Sequence, residues 1–502
     1  MSAFTFRTSS LTVVTLVLVV ASAWVLRTAA TPLDDYVNKK DGAFNYTDLG
    51  VVLRGTGWRA HVYNMTSQFW LSPADSNRHL WWHYVAIIIP NNVNYTRTQA
   101  TLYITGNDNE VSQAPTNKSE DLNLAAQLAM STSTATAVLW QVPNQPIYFP
   151  CDPLHLRRTE DAAIALTWWH FMRNTSEPDW ILELPMTKSG VKALDMMHLV
   201  LPQYLRGARI NEFIVAGASK RGWTTWLVGA VDKRVKAIIP IVLDALKFVD
   251  FAHRQFRMYG AWSFALSDYY RMNFTQDLDL PQTKKLAAII DPYFYLHRLT
   301  MPKLTINAGG DEFQMPDDQR HWGHAAPGEM NYLMVKNADH SLATNIGEVL
   351  QSAGAFIASV VNHGVRPVIH WEIDPEGNIT VSTDAPPTVV TIAYADSAGG
   401  ISEGRRDFRW AAINATPCPW KVFGACVRPV LWTTTSNVEQ LNSTSWRAHF
   451  PAPSTGWRSF FIEMQFANPF GEDFYFTSPA SVVPPTYPFP DCHGAECKSY
   501  LV

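Results

Sequence analysis

The chain has 502 residues, 47% of them apolar and 17% charged, so it can bury a large core and is not a disordered polymer. Its formal net charge is −4, with no block of like charge. That balance offers no basic surface for nucleic acid or for an anionic membrane.

At the N-terminus, LTVVTLVLVVASAWVL (residues 11–26) is uncharged and lies between Arg7 and Arg27. It contains the small-residue run ASA (residues 21–23), which predicts a signal peptide over 1–23 and a mature chain beginning near Trp24. The run is shorter than the about 20 apolar residues of a spanning helix, with an uncleaved anchor as the alternative. N-x-S/T sequons at Asn45, Asn64, Asn94, Asn117, Asn174, Asn273, Asn378, Asn414 and Asn442 agree with export. The expected location is therefore extracellular, or, if the leader stays, a type II membrane anchor or an endomembrane lumen. In an oxidising compartment, pairing by nearness gives Cys418–Cys426 and Cys492–Cys497 and leaves Cys151 over. No CxxC…CxxC or HExxH spacing points to a metal, and no cofactor is expected.

Residues 31–100 are mixed and aromatic, with LWWHYVAIIIP reading as a strand. From about 100 the pattern alternates. TLYITG, ATAVLWQV, EFIVAG, VKAIIPIV, KLTINAG and YLMVKN read as strands. LNLAAQLAMSTS, EDAAIALTWWHFMR, GVKALDMMHLVLPQYL and IGEVLQSAGAFIASVV have helical spacing. Apolar strands separated by amphipathic helices imply a parallel sheet covered on both faces, over 31–364. An aromatic, helical insertion at about 243–300 suggests a cap at the carboxyl edge of that sheet; ordinary packing helices are the plainer alternative. After 364, short alternating segments such as NITVSTD, TVVTIAYAD, RDFRWAAI and RSFFIEMQF, bounded by turn residues, predict an antiparallel β-sandwich over 365–487. Residues 488–502 form a Cys-containing tail.

VAGASKRGWTT (residues 215–225) carries the chemistry. Ser219 follows a strand and opens a helix, with Gly217 two before it and Gly222 three after. Such a turn lifts a serine above the sheet, although Arg221 fills the second glycine place of G-x-S-x-G. A serine there is also an ordinary helix cap. A serine hydroxyl needs a base and a carboxylate that orients the base. Asp311 lies just past KLTINAG and His340 just past YLMVKN, in the chain order of the α/β-hydrolase fold. Taken singly, Asp311 reads as a turn residue and His340 as a cap. Glu312, Asp317 and Asp318 are rival acids, and His321 and His324 lie in the loop before the last strand. Oxyanion donors would be the backbone N–H of Lys220 and one near Asn107 in the loop TGNDN.

These residues also carry a family resemblance. VAGASKRGWTTWLVGAVDKRVKAIIPIVLD, DPYFYLHRLTMPKLTINAGGDEFQMPDD and YLMVKNADHSL resemble the PhoPQ-activated pathogenicity-related proteins, which include autocrine proliferation repressor proteins of social amoebae. The likeness runs from about 33 to 480. It implies an α/β-hydrolase fold with Ser219, Asp311 and His340 as nucleophile, acid and base. The expected function is a secreted serine hydrolase acting on an ester or a peptide bond, as an esterase or an aminopeptidase or dipeptidyl-peptidase-like enzyme. Arg221 beside the nucleophile, with Trp262 and Tyr270 of the cap, are candidate substrate contacts. A carboxylate-bearing substrate would suit Lys220 and Arg221, whose plainer reading is a solvated helical turn. The alternative is a secreted signalling or binding protein using the fold as a scaffold, with a cell-surface partner. Its surface would come from Trp371, Trp410, Trp420, Trp432, Trp446 and Trp457, which otherwise read as core.

Overall fold

The computed structural model describes residues 30–110, 113–398, 404–413, 418, 420–422, 424–428 and 430–502. The expected signal peptide and the Asn414 sequon lie outside the described residues. Among the described residues, no helix is long and apolar enough to cross a membrane.

One sheet of nine strands organises the chain. Its strands are β1 (Asn45–Gly55), β2 (Trp58–Phe69), β3 (Leu80–Pro90), β4 (Gln99–Ile104), β5 (Thr136–Leu139), β6 (Glu212–Ala218), β7 (Val235–Ile241), β8 (Lys303–Ala308) and β9 (Met330–Val335). They lie in the order β1-β2-β3-β5-β4-β6-β7-β8-β9. β1, β2, β3 and β5 pair antiparallel, and every pair from β5 onward is parallel. The β1–β2 hairpin was not expected from the sequence. Its turn places Gly57 at φ 82°, and β2 alternates buried and half-buried residues along much of its length.

The helices are α1 (Pro32–Asn38), α2 (Glu120–Thr132), α3 (Glu160–Arg173), α4 (Glu183–Val200), α5 (Lys220–Val231), α6 (Phe248–Tyr259), α7 (Ser267–Arg271), α8 (Pro281–Ile290) and α9 (Ile346–Val361). Strand periodicity assigns each face. Phe213 and Val215 of β6 enter the core that holds Leu194 and Met197 of α4 and Trp226 of α5. Ile214 and Ala216 enter the opposite core, with Phe356 and Ile357 of α9. Helices on both faces of a largely parallel sheet, with this crossover order, make the α/β-hydrolase fold.

After α9 the described strands are antiparallel and fall into separate sheets. Four strands (Ile369–Ile373, Ile379–Thr383, Ser445–Ala448, Glu439–Asn442) face a larger sheet centred on Val389–Asp396 and Arg458–Phe466. Val381, Trp446, Phe460 and Ile462 meet between them, in one core with Phe356 of α9. The Thr477 hydroxyl accepts from the Met334 amide of β9 at 3.1 Å. RDFRWAAI departs from the expected continuous strand: Ala411–Ala412 forms a two-residue strand, and Asp407 makes an isolated bridge to Ala398. Arg406, Asp407 and Arg409 are buried instead, Arg409 in a double hydrogen bond to Asp407 at 2.9 and 2.7 Å. Buried charges must be paired, and this cluster does so by turning both residue 407 and residue 409 inward.

The β-rich region braces the loop after β8. Trp410 donates its amide to Gly310 O at 2.9 Å. A Cβ at Gly310 would collide with the Trp410 indole, and one at Gly309 with that of Trp432. Trp432 and Trp446 are buried and Trp410 half-buried, whereas Trp420 is 61% exposed. Gly310→Ala should destabilise the protein by about 1–3 kcal/mol, because the indole must leave a packed site. Urea unfolding of the two proteins checks this; equal midpoints would remove Trp410 as the brace.

Candidate active site

Ser219 stands in the turn from β6 to α5, with φ 57° and ψ −125°. A non-glycine residue held there costs on the order of 1–3 kcal/mol and persists only where its surroundings enforce it. The Ser219 amide donates to Ile241 O of β7 at 2.8 Å. A Cβ at Gly217 would lie 2.6 Å from Arg221 O, and one at Gly222 would lie 2.7 Å from Ile241 O. The second close approach of the turn therefore falls on Gly222, which is why Arg221 can occupy the usual glycine place.

Two further loops deliver the partners. His340 follows β9 and its Nε2 lies 2.9 Å from Ser219 Oγ. Its Nδ1 lies 2.7 and 2.9 Å from the two Asp311 oxygens. With Nδ1–H donating to Asp311, Nε2 is left to accept the serine proton. Asp311 follows β8, is buried, and accepts the amides of Phe313 and Gln314 at 2.7 and 3.0 Å. Burial by itself depresses the His340 pKa, but the Asp311 charge and hydrogen bond outweigh it and hold it above the usual histidine value. Glu312 touches the base only through the His340 amide, at 3.2 Å; burial and then the Asp311 charge push its pKa up to about 7. The other rival acids are occupied elsewhere, Asp317 with Arg406 and Asp318 with Arg254 and the Met315 amide. His324 stacks on Trp371, and neither it nor His321 lines the cavity.

The basic pair after Ser219 is spent inside the protein. Lys220 Nζ is 2.6 Å from Asp161 Oδ2, and its backbone N–H is the first of the helix, among those without an intrahelical acceptor. Arg221 does not face the cavity, contrary to the expected substrate contact. Its guanidinium holds Glu160 through two bonds of 2.6 and 2.7 Å and donates to Val142 O at 2.5 Å. It also lies so close to Gly106 that a Cβ there would collide with it. Arg221 thus props the loop that carries Asn107, an exposed residue whose side chain accepts the Asp108 amide at 2.8 Å. Burial works against the Glu160 charge, yet Arg221 holds that carboxyl down at about 2.

A cavity of about 100 Å³ opens beside Ser219 and His340. Its wall is aromatic: Trp168 of α3 and Trp223 of α5 on one side, Phe248, Phe251, Trp262 and Phe274 of the inserted segment on the other. That segment leaves β7 at the carboxyl edge of the sheet, where its residues 243–278 roof the site, and then returns to the opposite edge to enter the parallel strand β8. Trp262 lines the cavity and donates its indole N–H to Cys497 O at 2.7 Å. Tyr270 does not line it; its hydroxyl donates to Ser499 O of the tail at 3.0 Å. Tyr269 takes the place expected of Tyr270 and donates to Asp161 Oδ1 at 3.0 Å. Sequence reasoning missed Asp161 and Trp168. Acids in a first helical turn read as complements to the helix dipole, and nothing local marks their partners.

The structure contains the disulfides Cys418–Cys426 and Cys492–Cys497 and leaves Cys151 free and exposed. Asn45, Asn94, Asn117, Asn174, Asn273 and Asn442 are exposed and Asn64 half-buried. Asn378 is the exception: it is buried and its amide donates to Asp374 at 2.7 Å, which does not suit a glycan.

A family model described as PhoPQ-activated pathogenicity-related protein matches residues 33–409. Autocrine proliferation repressor protein A of Dictyostelium discoideum is 34% identical over 484 residues, covering 92% of each chain. Among solved structures, acetyl xylan esterase 1 from Thermoanaerobacterium sp. superposes with a TM-score of 0.42 at 12% identity, over 65% of this chain and 93% of its own. The glucuronoyl esterase from Solibacter usitatus has the same TM-score and identity, over 68% and 93%.

The charge balance at His340 gives a direct test. Asp311 favours the protonated ring and burial opposes it, so Asp311→Asn removes the favourable part and leaves the opposing one. The His340 pKa, followed by NMR titration of the ring, should lie above about 6.5 in the wild type and fall below it in the variant. An unchanged titration would mean that Asp311 does not govern the ring.

Proposed function

The chain belongs to the PhoPQ-activated pathogenicity-related protein family, and from that membership and the site's geometry we propose that it is a secreted serine hydrolase cleaving an ester or peptide bond through Ser219, His340 and Asp311. The observation that carries this reading is the unbroken hydrogen-bonded chain Ser219–His340–Asp311 on a strained Ser219 backbone. A capping serine would need neither the strain nor the histidine.

In this mechanism Ser219 Oγ attacks the carbonyl carbon while His340 Nε2 takes its proton. The buried Asp311 carboxylate stabilises the imidazolium that forms. The tetrahedral oxyanion is held by the Lys220 backbone N–H and a second amide near Asn107, donors that gain strength as charge develops. His340 then protonates the departing alcohol or amine, and water releases the acyl group by the reverse steps. The aromatic cavity favours an apolar, uncharged acyl or side-chain group, since Lys220 is already paired with Asp161. Export is supported by the two disulfides and by the exposed sequons.

The name of the Dictyostelium relative favours a second reading, a secreted signal that uses the fold as a scaffold. A fluorophosphonate probe separates the two. Under the hydrolase reading it labels the wild type and not Ser219→Ala, and a screen of esters and dipeptide amides finds a substrate whose turnover drops on the order of 10⁴- to 10⁶-fold in that variant. His340→Ala should match that loss, and Asp311→Asn should cost about 10⁴-fold. Absent labelling of a folded wild type would favour the scaffold reading.

The activity should also follow the ionisation of His340. The base must be neutral to accept a proton, so kcat/KM should rise with pH along a limb set above about 6.5. A limb below the ordinary histidine range would contradict the assignment of His340 as base.

A further inference from the structure

The C-terminal tail crosses the outside of the roof. The Trp262 amide donates to Tyr500 O at 2.9 Å, and Val502 returns its own amide to Trp262 O at 2.8 Å. At the other end of this strap, four side chains from three segments converge. They are His253 of α6, Asp279 in the turn before α8, and Asp491 and His493 of the tail.

We propose that His253, Asp279 and His493 bind a zinc ion that clasps the tail to the roof of the cavity, with Asp491 orienting His253. A neutral imidazole has one N–H and one lone pair. His253 Nδ1 lies 2.8 Å from Asp491 Oδ1, and its Nε2 lies 3.1 Å from Asp279 Oδ1. With Nδ1–H donating to Asp491, Nε2 turns a lone pair toward a carboxylate oxygen. That contact needs positive charge between the two atoms, from a second proton or from a cation. His493 brings its Nδ1 to the other oxygen of the same carboxylate, at 2.9 Å.

The donor geometry selects the cation. The three ligand atoms lie within 4.8 Å of one another. Zinc bonds of about 2.0–2.2 Å in a tetrahedron set neighbouring donors about 3.3 Å apart, and each imidazole nitrogen stands near that distance from one oxygen of the Asp279 carboxylate, His253 at 3.1 Å from Oδ1 and His493 at 2.9 Å from Oδ2. Imidazole nitrogen with one carboxylate suits zinc, whereas magnesium and calcium take oxygen donors. A carboxylate behind a ligating histidine is the usual means of fixing its tautomer, and Asp491 stands there. Cys492 is also near His253, but its sulfur is bonded to Cys497 and cannot ligate. That disulfide instead fixes the backbone next to His493. Side-chain exposures of 43% for Asp279 and 68% for His493 leave the site open to entry, with water as the fourth ligand. The ion would sit on the outer face of the cavity wall, since Phe251, Ala252 and Leu278, neighbours of its ligands in sequence, line the cavity within.

The test uses tag-free full-length protein, stripped with chelator and titrated with zinc chloride by calorimetry, with thermal unfolding measured alongside. The expected result is one equivalent bound and a raised Tm. His493→Ala and Asp279→Asn should abolish both effects, and Asp491→Asn should weaken affinity about 10–100-fold. His493 is a surface residue, so that variant keeps the fold. Three outcomes overturn the proposal. The first is no binding at tens of micromolar zinc. The second is binding that survives in both His493→Ala and Asp279→Asn. The third is a Tm indifferent to zinc that falls as pH rises through the histidine range, which assigns the contacts to protonated histidine–carboxylate pairs alone.

Discussion

The backbone of Ser219, held at φ 57° and ψ −125° between β6 and α5, is the constraint to which the rest of the site answers. Its amide is committed to Ile241 O, and the two glycines admit the backbone approaches that this turn requires. Because β6 lies between β4 and β7 in the sheet, the hydroxyl emerges where neighbouring loops can reach it. His340 and Asp311 arrive from the ends of β9 and β8, and the short distances follow from the parallel register of those strands. The strain in one residue is thus sustained by packing spread over the whole sheet.

Around that turn, charge is neutralised before it reaches the cavity. Lys220 and Arg221 follow the serine directly, yet Asp161 and Glu160 at the start of α3 take both. One pair closes the floor of an aromatic cavity; the other props the loop that carries Asn107. An exposed basic pair would have drawn anions to the serine. Paired, it organises loops and leaves the cavity suited to apolar groups.

The C-terminal half is continuous with the hydrolase core. Trp410 and Trp432 pack against Gly310 and Gly309, immediately before Asp311. Arg409 joins Asp407 to Ser263 of the roof and to Val502 O at the chain end. The position of the acid and that of the roof therefore both depend on residues beyond α9.

The sequence alone was sufficient for what depends on local pattern. Apolar strand runs and helical spacing announced the alternating core, and strand ends announced Ser219, Asp311 and His340, which the fold brings into one hydrogen-bonded chain. The β1–β2 hairpin escaped notice, although its alternation and the turn at Gly57 were present. What only tertiary structure decided is which side chain meets which. Arg221 turns to Glu160, Tyr270 to the tail, and RDFRWAAI becomes a buried charge cluster instead of a strand. His253, Asp279 and His493 meet although the last lies far along the chain from the others. Periodicity reports which face of an element is buried, but the partner across that face is set by long-range packing, which no local window contains.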